Sequence, residues 1–340
     1  MKWAVVGCGV IGERRASALP KGSSLVACFD TNQERSKAFS AKTGAVVKNS
    51  LDELLKSEAD IVIVSTINAA LAPTLQAALR SGKAVLVEKP GARGIDELVA
   101  VDNSGNIPVK VGFNHRFHPA YADLLKELQS NSKDDPVMYI RARYGNGARL
   151  GFDREWRSKV ELSGGGELLD QGVHVLDLAL QIIPELKVTG ALVRTQYWDM
   201  NVDDNAWALL SSPTGQSFSM HVSSSEWKNE FQFDVYTRKC RYTWRGLGRS
   251  YGPETLAMYR MKPEMGPPDE EIRQYSAQDN SWLEENTHFE KALNDKATPW
   301  GNLEDAKKCL TLVESIYKTS HEQQGFSEDH PQWWSKLHKL

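Results

Sequence analysis

The chain has 340 residues, 41% hydrophobic and 25% charged, which is enough for a substantial core and most simply divides into two domains. Its 41 basic and 44 acidic residues give a formal net charge of -3 without long single-sign blocks, which argues against a dominant nucleic-acid or anionic-membrane surface. The apolar start Ala4-Val5-Val6 is broken by glycines and followed by Glu13-Arg14-Arg15, so it lacks the run of a signal peptide or membrane span, and a cytoplasmic protein is expected.

In chain order, residues 3–7 and 25–29 read as buried parallel strands, with 10–19 as the intervening helix of a β-α-β unit. A helix at 33–41, a short strand at 45–47, a helix at 51–56 and the strong strand Ile61-Val62-Ile63-Val64 continue the alternation. A helix at 71–81 and strands at 84–87 and 109–112 complete a doubly wound, mostly parallel α/β sheet of the Rossmann type over 1–118. After His118-Pro119 the pattern changes to a helix at 120–129, a strand at 137–144, a loop rich in glycine and arginine, and helical spacing over 166–183. Strands are expected at 188–195, 206–210, 216–222, 230–236 and 239–244, giving an α+β domain over 119–300 with an open, mostly antiparallel sheet. Residues 246–271 read as a long exposed excursion, 282–293 and 303–319 as late helices, and 301–340 as a C-terminal helix and tail.

The first turn carries Gly7-x-Gly9-x-x-Gly12 between a hydrophobic strand and a helix, the context that turns a weak motif into a dinucleotide cradle. Gly7 makes the strand exit, Gly9 admits the pyrophosphate and Gly12 allows close helix packing, with Val10 and Ile11 among the contacts. Asp30 follows the second strand and suits the adenosine ribose hydroxyls, with Thr31 beside it; its charge opposes a 2'-phosphate and favours NAD over NADP. Asp30 also suits a helix N-cap in Asp30-Thr31-Asn32-Gln33, and Arg35 is positioned to compensate a phosphate. Thr66 and Asn68 end the strand at 61–64 and are candidates for the nicotinamide half, or for a plain turn.

Glu88-Lys89-Pro90 ends another strand, where Lys89 can stabilise alkoxide charge; sequence leaves the Lys89-Pro90 isomer open. Asp170, His174 and Asp177, four and then three apart, fall along one side of a helix. His174 is the best general base, Asp170 a holder of a substrate hydroxyl and Asp177 an orienter of the ring. No third ligand has zinc spacing, and Cys8, Cys28, Cys240 and Cys309 show no CxxC pattern, so no metal is expected.

These motifs, with Gly164-Gly165-Gly166 ahead of Asp170-x-Gly172-x-His174-x-x-Asp177, make the chain resemble the Gfo/Idh/MocA oxidoreductase family over almost its whole length. The resemblance implies Lys89, Asp170 and His174 as the central polar trio and Glu88 near the cofactor. It also implies a second-domain sheet that serves substrate recognition and a homodimer or homotetramer, and a late helix from Leu303 that returns to the first domain. Asn114, Arg116, Tyr144, Arg149 and Arg157 join Lys89, Asp170 and His174 as expected substrate contacts, because amides and guanidiniums suit a polyhydroxylated or anionic ligand. The expected reaction is reversible oxidation of a ring secondary alcohol, at C3 of a sugar or sugar nucleotide, leaning toward activated or amino sugars. A free sugar, inositol or trans-diol dehydrogenase, an NAD-dependent glycosidase and a non-enzymatic nucleotide-binding regulator remain as alternatives.

Overall fold

The computed structural model describes residues 1–131 and 134–324, so the expected tail at 325–340 lies outside the described residues. It divides into two units. The first comprises Met1–Phe117, Glu161–Gly164 and Asn280–Leu310, and the second comprises His118–Val160, Gly165–Asp279 and the chain from Thr311 onward.

The first unit begins β1 (Lys2–Val6), α1 (Val10–Ser17), β2 (Ser24–Phe29), α2 (Gln33–Thr43), β3 (Val46–Val47), α3 (Leu51–Leu55) and β4 (Ile61–Val64). It continues with α4 (Asn68–Arg80), β5 (Ala84–Val87), α5 (Ile95–Val99) and β6 (Val109–Val111). All six strands run parallel in the order β3-β2-β1-β4-β5-β6. The strand order reverses between β1 and β4, the place where open α/β sheets bind ligands beyond their carboxyl ends. Every residue of β4 is buried, the mark of a strand covered on both faces. The unit also takes in a late helix, because Phe289 packs edge-on against Trp3 and completes the core around β1.

The second unit opens with α6 (Pro119–Asn131) and β7 (Val137–Gly145), then a loop with two short 3-10 turns; α7 (Val160–Ser163) falls almost wholly to the first unit. A π turn (Leu168–Gly172) runs directly into α8 (Val173–Ile182). Strands β8 (Lys187–Arg194), β9 (Asn205–Ser211), β10 (Ser217–Ser223), β11 (Glu230–Thr237), β12 (Cys240–Arg245), β13 (Thr255–Arg260) and β14 (Asp269–Gln274) follow. The sheet order is β14-β13-β12-β11-β7-β10-β9-β8, antiparallel except for the β7–β10 pair. Along β7, Ile140, Ala142 and Tyr144 are buried whereas Arg141 and Arg143 are exposed, and α6 and α8 pack against this sheet. The stretch expected as a long excursion contains β13 and the start of β14: Leu256, Ala257 and Met258 are buried in succession, so no period-2 alternation marks the strand among the surrounding glycines and prolines. The chain closes with α9 (Ser281–Asn294) in the first unit and α10 (Leu303–Gln324), whose first turns group with the first unit and the rest with the second. No helix among the described residues is long and apolar enough to cross a membrane.

Candidate active site

The chain leaves β1 through Gly7, whose φ of +97° suits only glycine and whose N–H donates to the Phe29 carbonyl at 2.9 Å. A β-carbon there would lie 2.5 Å from the Ser65 carbonyl, and one at Gly12 would collide with the Gly7 carbonyl. Gly9 differs: a β-carbon there meets no protein atom within 4 Å, so the protein's own packing does not demand glycine. A dinucleotide pyrophosphate lying against the first turn of α1 would need that open space. Val10 is exposed and Ile11 half-buried beside it. Asp30 ties the turn to the end of β2, accepting the Cys8 N–H on Oδ2 and the Asn32 N–H on Oδ1, both at 2.8 Å. Each oxygen keeps a lone pair for a ribose hydroxyl. Asn32 caps α2 through the N–H groups of Glu34 and Arg35, so the cap reading of Asp30 gives way to its neighbour; Thr31 is exposed.

Thr66 donates its hydroxyl to the Ile67 carbonyl at 3.2 Å, and Asn68, buried at the start of α4, donates its amide to the Ser163 carbonyl at 2.8 Å. Glu88 is buried at the end of β5 with its Oε1 2.6 Å from Arg15 Nε. Arg15 also meets Glu285 at 2.5 Å, and Glu285 lies 3.3 Å from Lys110, so Glu88 belongs to an interior ionic network. Burial pushes the Glu88 carboxyl up against the pull of Arg15, and burial brings the Lys110 ammonium down to about 8. Lys89 follows, half-buried, and its bond to Pro90 is cis. Two expected substrate contacts have interior partners instead. The Asn114 amide donates to Ser281 Oγ at 2.9 Å; Arg116 is 1% exposed, pairs with Asp305 at 3.0 Å and lies against Phe113 and Trp300. Both followed a strand end, and sequence could not show that α9 and α10 supply their partners.

In the second unit Gly166 is a packing requirement. A β-carbon at Gly166 would collide with the Asp203 backbone. Asp203 accepts the N–H groups of Gly166 (2.9 Å) and Leu168 (2.8 Å) on its carboxylate and that of Glu167 (2.9 Å) on its carbonyl, and the Tyr317 hydroxyl donates to it at 2.6 Å. Negative charge at a helix start is favourable, although burial pushes the Asp203 carboxyl up. The helix so anchored carries half-exposed Asp170 in its π turn and buried His174 and Asp177 in α8. Arg157 reaches Asp170 at 3.3 Å with its guanidinium over the Trp156 ring, while Arg149 pairs with Glu155 at 2.7 Å, and Glu155 is 3.7 Å from Arg157. Tyr144 brings its ring to 6.3 Å from that of His174 and 5.4 Å from that of Tyr251.

The structure therefore gathers Tyr144, Arg157, Asp170 and His174 in one unit and the glycine turn, Asp30 and Lys89 in the other. Sequence reasoning missed Asp203, Tyr317, Tyr251 and Glu167, which accepts the Asn146 amide at 3.1 Å. Burial raises the Tyr251 phenol to about 12, so it stays a hydroxyl donor. The Asp203-Asp204 pair just before a strand was the one visible signal, because carboxylates at such a point commonly bind backbone N–H groups. Among the described residues no cluster of three or more histidine, cysteine, aspartate or glutamate residues is arranged to hold a metal ion.

Comparison with known proteins matches residues 1–111 to the oxidoreductase family with an NAD-binding Rossmann fold and residues 125–243 to the GFO/IDH/MocA C-terminal domain. The chain belongs to the GFO/IDH/MocA family of oxidoreductases. It is an NAD(P)-dependent dehydrogenase. It is 31% identical over 242 residues to dTDP-3,4-didehydro-2,6-dideoxy-alpha-D-glucose 3-reductase of Streptomyces violaceoruber, covering 67% of this chain and 69% of that protein. It is 29% identical over 206 residues to inositol 2-dehydrogenase 4 of Saccharopolyspora erythraea, covering 57% of each. The structure of levoglucosan dehydrogenase with NADH and levoglucosan shares the fold at a TM-score of 0.83 and 18% identity, over 95% of this chain and 98% of that one.

Proposed function

We propose that this dehydrogenase oxidises a ring secondary alcohol of a sugar or sugar nucleotide, reversibly and at C3, with Lys89, Asp170 and His174 as its catalytic residues. The observation that carries the reading is the anchored helix bearing Asp170 and His174, with Arg157 on Asp170 and Tyr144 beside His174. Bound nicotinamide supplies the hydride acceptor. His174 takes the hydroxyl proton, Lys89 stabilises the negative oxygen, and Asp170 accepts a hydrogen bond from the neighbouring hydroxyl. Ketone reduction uses the same groups in reverse. NAD is preferred to NADP because the Asp30 carboxylate repels a 2'-phosphate. The ring reductase and the inositol dehydrogenase among the relatives support chemistry at a ring carbon.

One feature favours an uncharged sugar or polyol over a phosphate-bearing one: Arg149 and Arg157 are paired with Glu155 and Asp170. The deciding experiment incubates the protein and NAD with UDP-sugars, sugar phosphates, free sugars and inositols, then looks by mass for loss of two hydrogens coupled to NADH. Bond cleavage without net NADH would replace the reading with a glycosidase, and no reaction across the panel would defeat it. A homodimer or homotetramer built through the second sheet, as the family resemblance implies, is to be measured by light scattering.

A further inference from the structure

A row of aromatic rings stands at the end of the second unit's sheet where β7 and β10 finish and β9 and β11 begin. Phe152 meets Trp198 at 5.6 Å between centroids, Trp198 meets Tyr197 at 5.1 Å, and Tyr197 meets Trp227 at 5.6 Å, each edge to face. Trp227 is 87% exposed and Tyr197 43%. Single exposed aromatics are ordinary, but a connected row ending in a bare indole marks a binding surface.

The row is held rigid from below. Asp204 is fully buried, and its carboxylate accepts the N–H groups of Gln196 (2.8 Å), Tyr197 (2.6 Å) and Trp198 (2.9 Å). The Trp198 indole N–H donates to the Ser224 carbonyl at 2.8 Å, and Ser224 N–H returns to the Asp204 carbonyl at 2.8 Å. The turn that carries Trp227 is pinned by Glu226 N–H on the Asn146 carbonyl at 3.0 Å. A carboxylate inside a protein must be hydrogen-bonded, and here its bonds fix the segment that presents two aromatic side chains at the surface. Fixing contact groups before a ligand arrives removes the ordering cost of binding.

Both ends of the row join the proposed site. Phe152 and Arg157 lie on adjacent short turns, joined by the Ser158 hydroxyl, whose Oγ is 2.7 Å from the Asp153 and the Glu155 carbonyl, and Arg157 reaches Asp170. Asn146, which holds the Trp227 turn, also donates to Glu167, three residues before Asp170. The negative faces of indole and phenol rings attract the C–H face of a pyranose. A diphosphate would call for unpaired cations, whereas Arg149 and Arg157 are engaged by carboxylates.

We propose that this row is an accessory subsite for a second, uncharged sugar ring, so that the substrate is a glycoside or disaccharide oxidised on its other ring. The proposal rests on the ring-alcohol reading above and extends it. Saturation-transfer NMR on the NADH-bound, full-length protein, with maltose, cellobiose, sucrose, methyl α-D-glucoside and UDP as probes, tests it against Trp227→Ala and Tyr197→Ala. At least one disaccharide should bind and lose about tenfold in affinity in each variant, with methyl glucoside and NADH binding unchanged. If no disaccharide binds in a Trp227-dependent way, or if UDP alone does, the proposal fails. It fails too if Trp227→Ala merely dissociates an oligomer seen for wild type by light scattering. Disaccharide binding with no oxidation when the same disaccharides are incubated with NAD would overturn the ring-alcohol reading, and with it their role as substrates, while leaving the subsite as a binding site.

Discussion

The cofactor turn and the helix of Asp170 and His174 are both built around glycines, yet the glycines answer different demands. At Gly7 the obstacle is the backbone of Ser65, 58 residues further along the chain, at Gly12 it is chiefly the carbonyl of Gly7, and at Gly9 nothing of the protein stands in the way. At Gly166 the obstacle is Asp203, which lies 37 residues further along the chain. The cofactor turn is legible because its glycines stand at fixed spacing between a hydrophobic strand and a helix. A motif whose constraints come from distant residues shows its glycines but hides what they pack against.

The largest expected effects are on the chemistry proposed above. His174→Ala, Lys89→Ala and Asp170→Asn are expected to lower single-turnover hydride transfer by about 10²- to 10⁴-fold, with NADH binding and circular dichroism intact. Near-normal rates in all three would move the reacting centre elsewhere.

The glycines themselves give the next largest effect. Gly166→Ala should lower stability by about 3 kcal/mol or more, read as a shifted urea midpoint, because Asp203 backbone atoms cannot retreat. Gly9→Ala should leave that midpoint within about 1 kcal/mol of wild type yet weaken NADH at least about tenfold, since its β-carbon intrudes only on the ligand. If Gly9→Ala binds NADH normally, the pyrophosphate does not approach there.

Asp30→Ala tests the choice of cofactor. NAD should weaken by about tenfold and NADP should not, so the ratio of the two dissociation constants narrows. Because Asp30 also holds the Cys8 N–H, a uniform loss for both cofactors would show that its work is to shape the turn.

The smallest effect is a pH slope confined to the first unit. His288 is half-buried, its Nε2 accepts the Trp300 N–H, and burial, with Lys110 and Arg116 nearby, pulls its pKa down to about 4 from 6.5. Below 6.5 the unfolded chain takes up this proton before the folded one does. Stability should therefore fall as pH drops from 6.5 to about 4, and this part of the slope should vanish in His288→Gln. An identical slope in the variant would assign the titration to other groups.

The first sheet was legible nearly to its strand ends, because short, wholly β-branched runs such as Ile61-Val62-Ile63-Val64 favour a strand buried on both faces. Most of the second sheet was legible from period-2 alternation, but β13 was lost between glycines and prolines that read as loop. For the site, the types of residue were visible and their partners were not. Arg116 looks the same in sequence whether it meets a substrate or Asp305, which is 189 residues away in the chain. Tyr251 was hidden by lying among glycines, and the aromatic row by drawing on three separate loops.

The helix of Asp170 and His174 has a π turn at Leu168–Gly172, and such a turn carries one residue more than the α-helix it interrupts. It sets the phase between Asp170, the carboxylate it carries, and the imidazole of His174 after it. Deleting a single residue there would let the regular ladder run through and rotate what precedes it by roughly 100° relative to α8. A substitution in this helix adjusts one group, whereas a one-residue deletion would exchange which groups share a face. Chain length at that point is thus itself a variable of reactivity, and one that residue-by-residue comparison of aligned positions does not register.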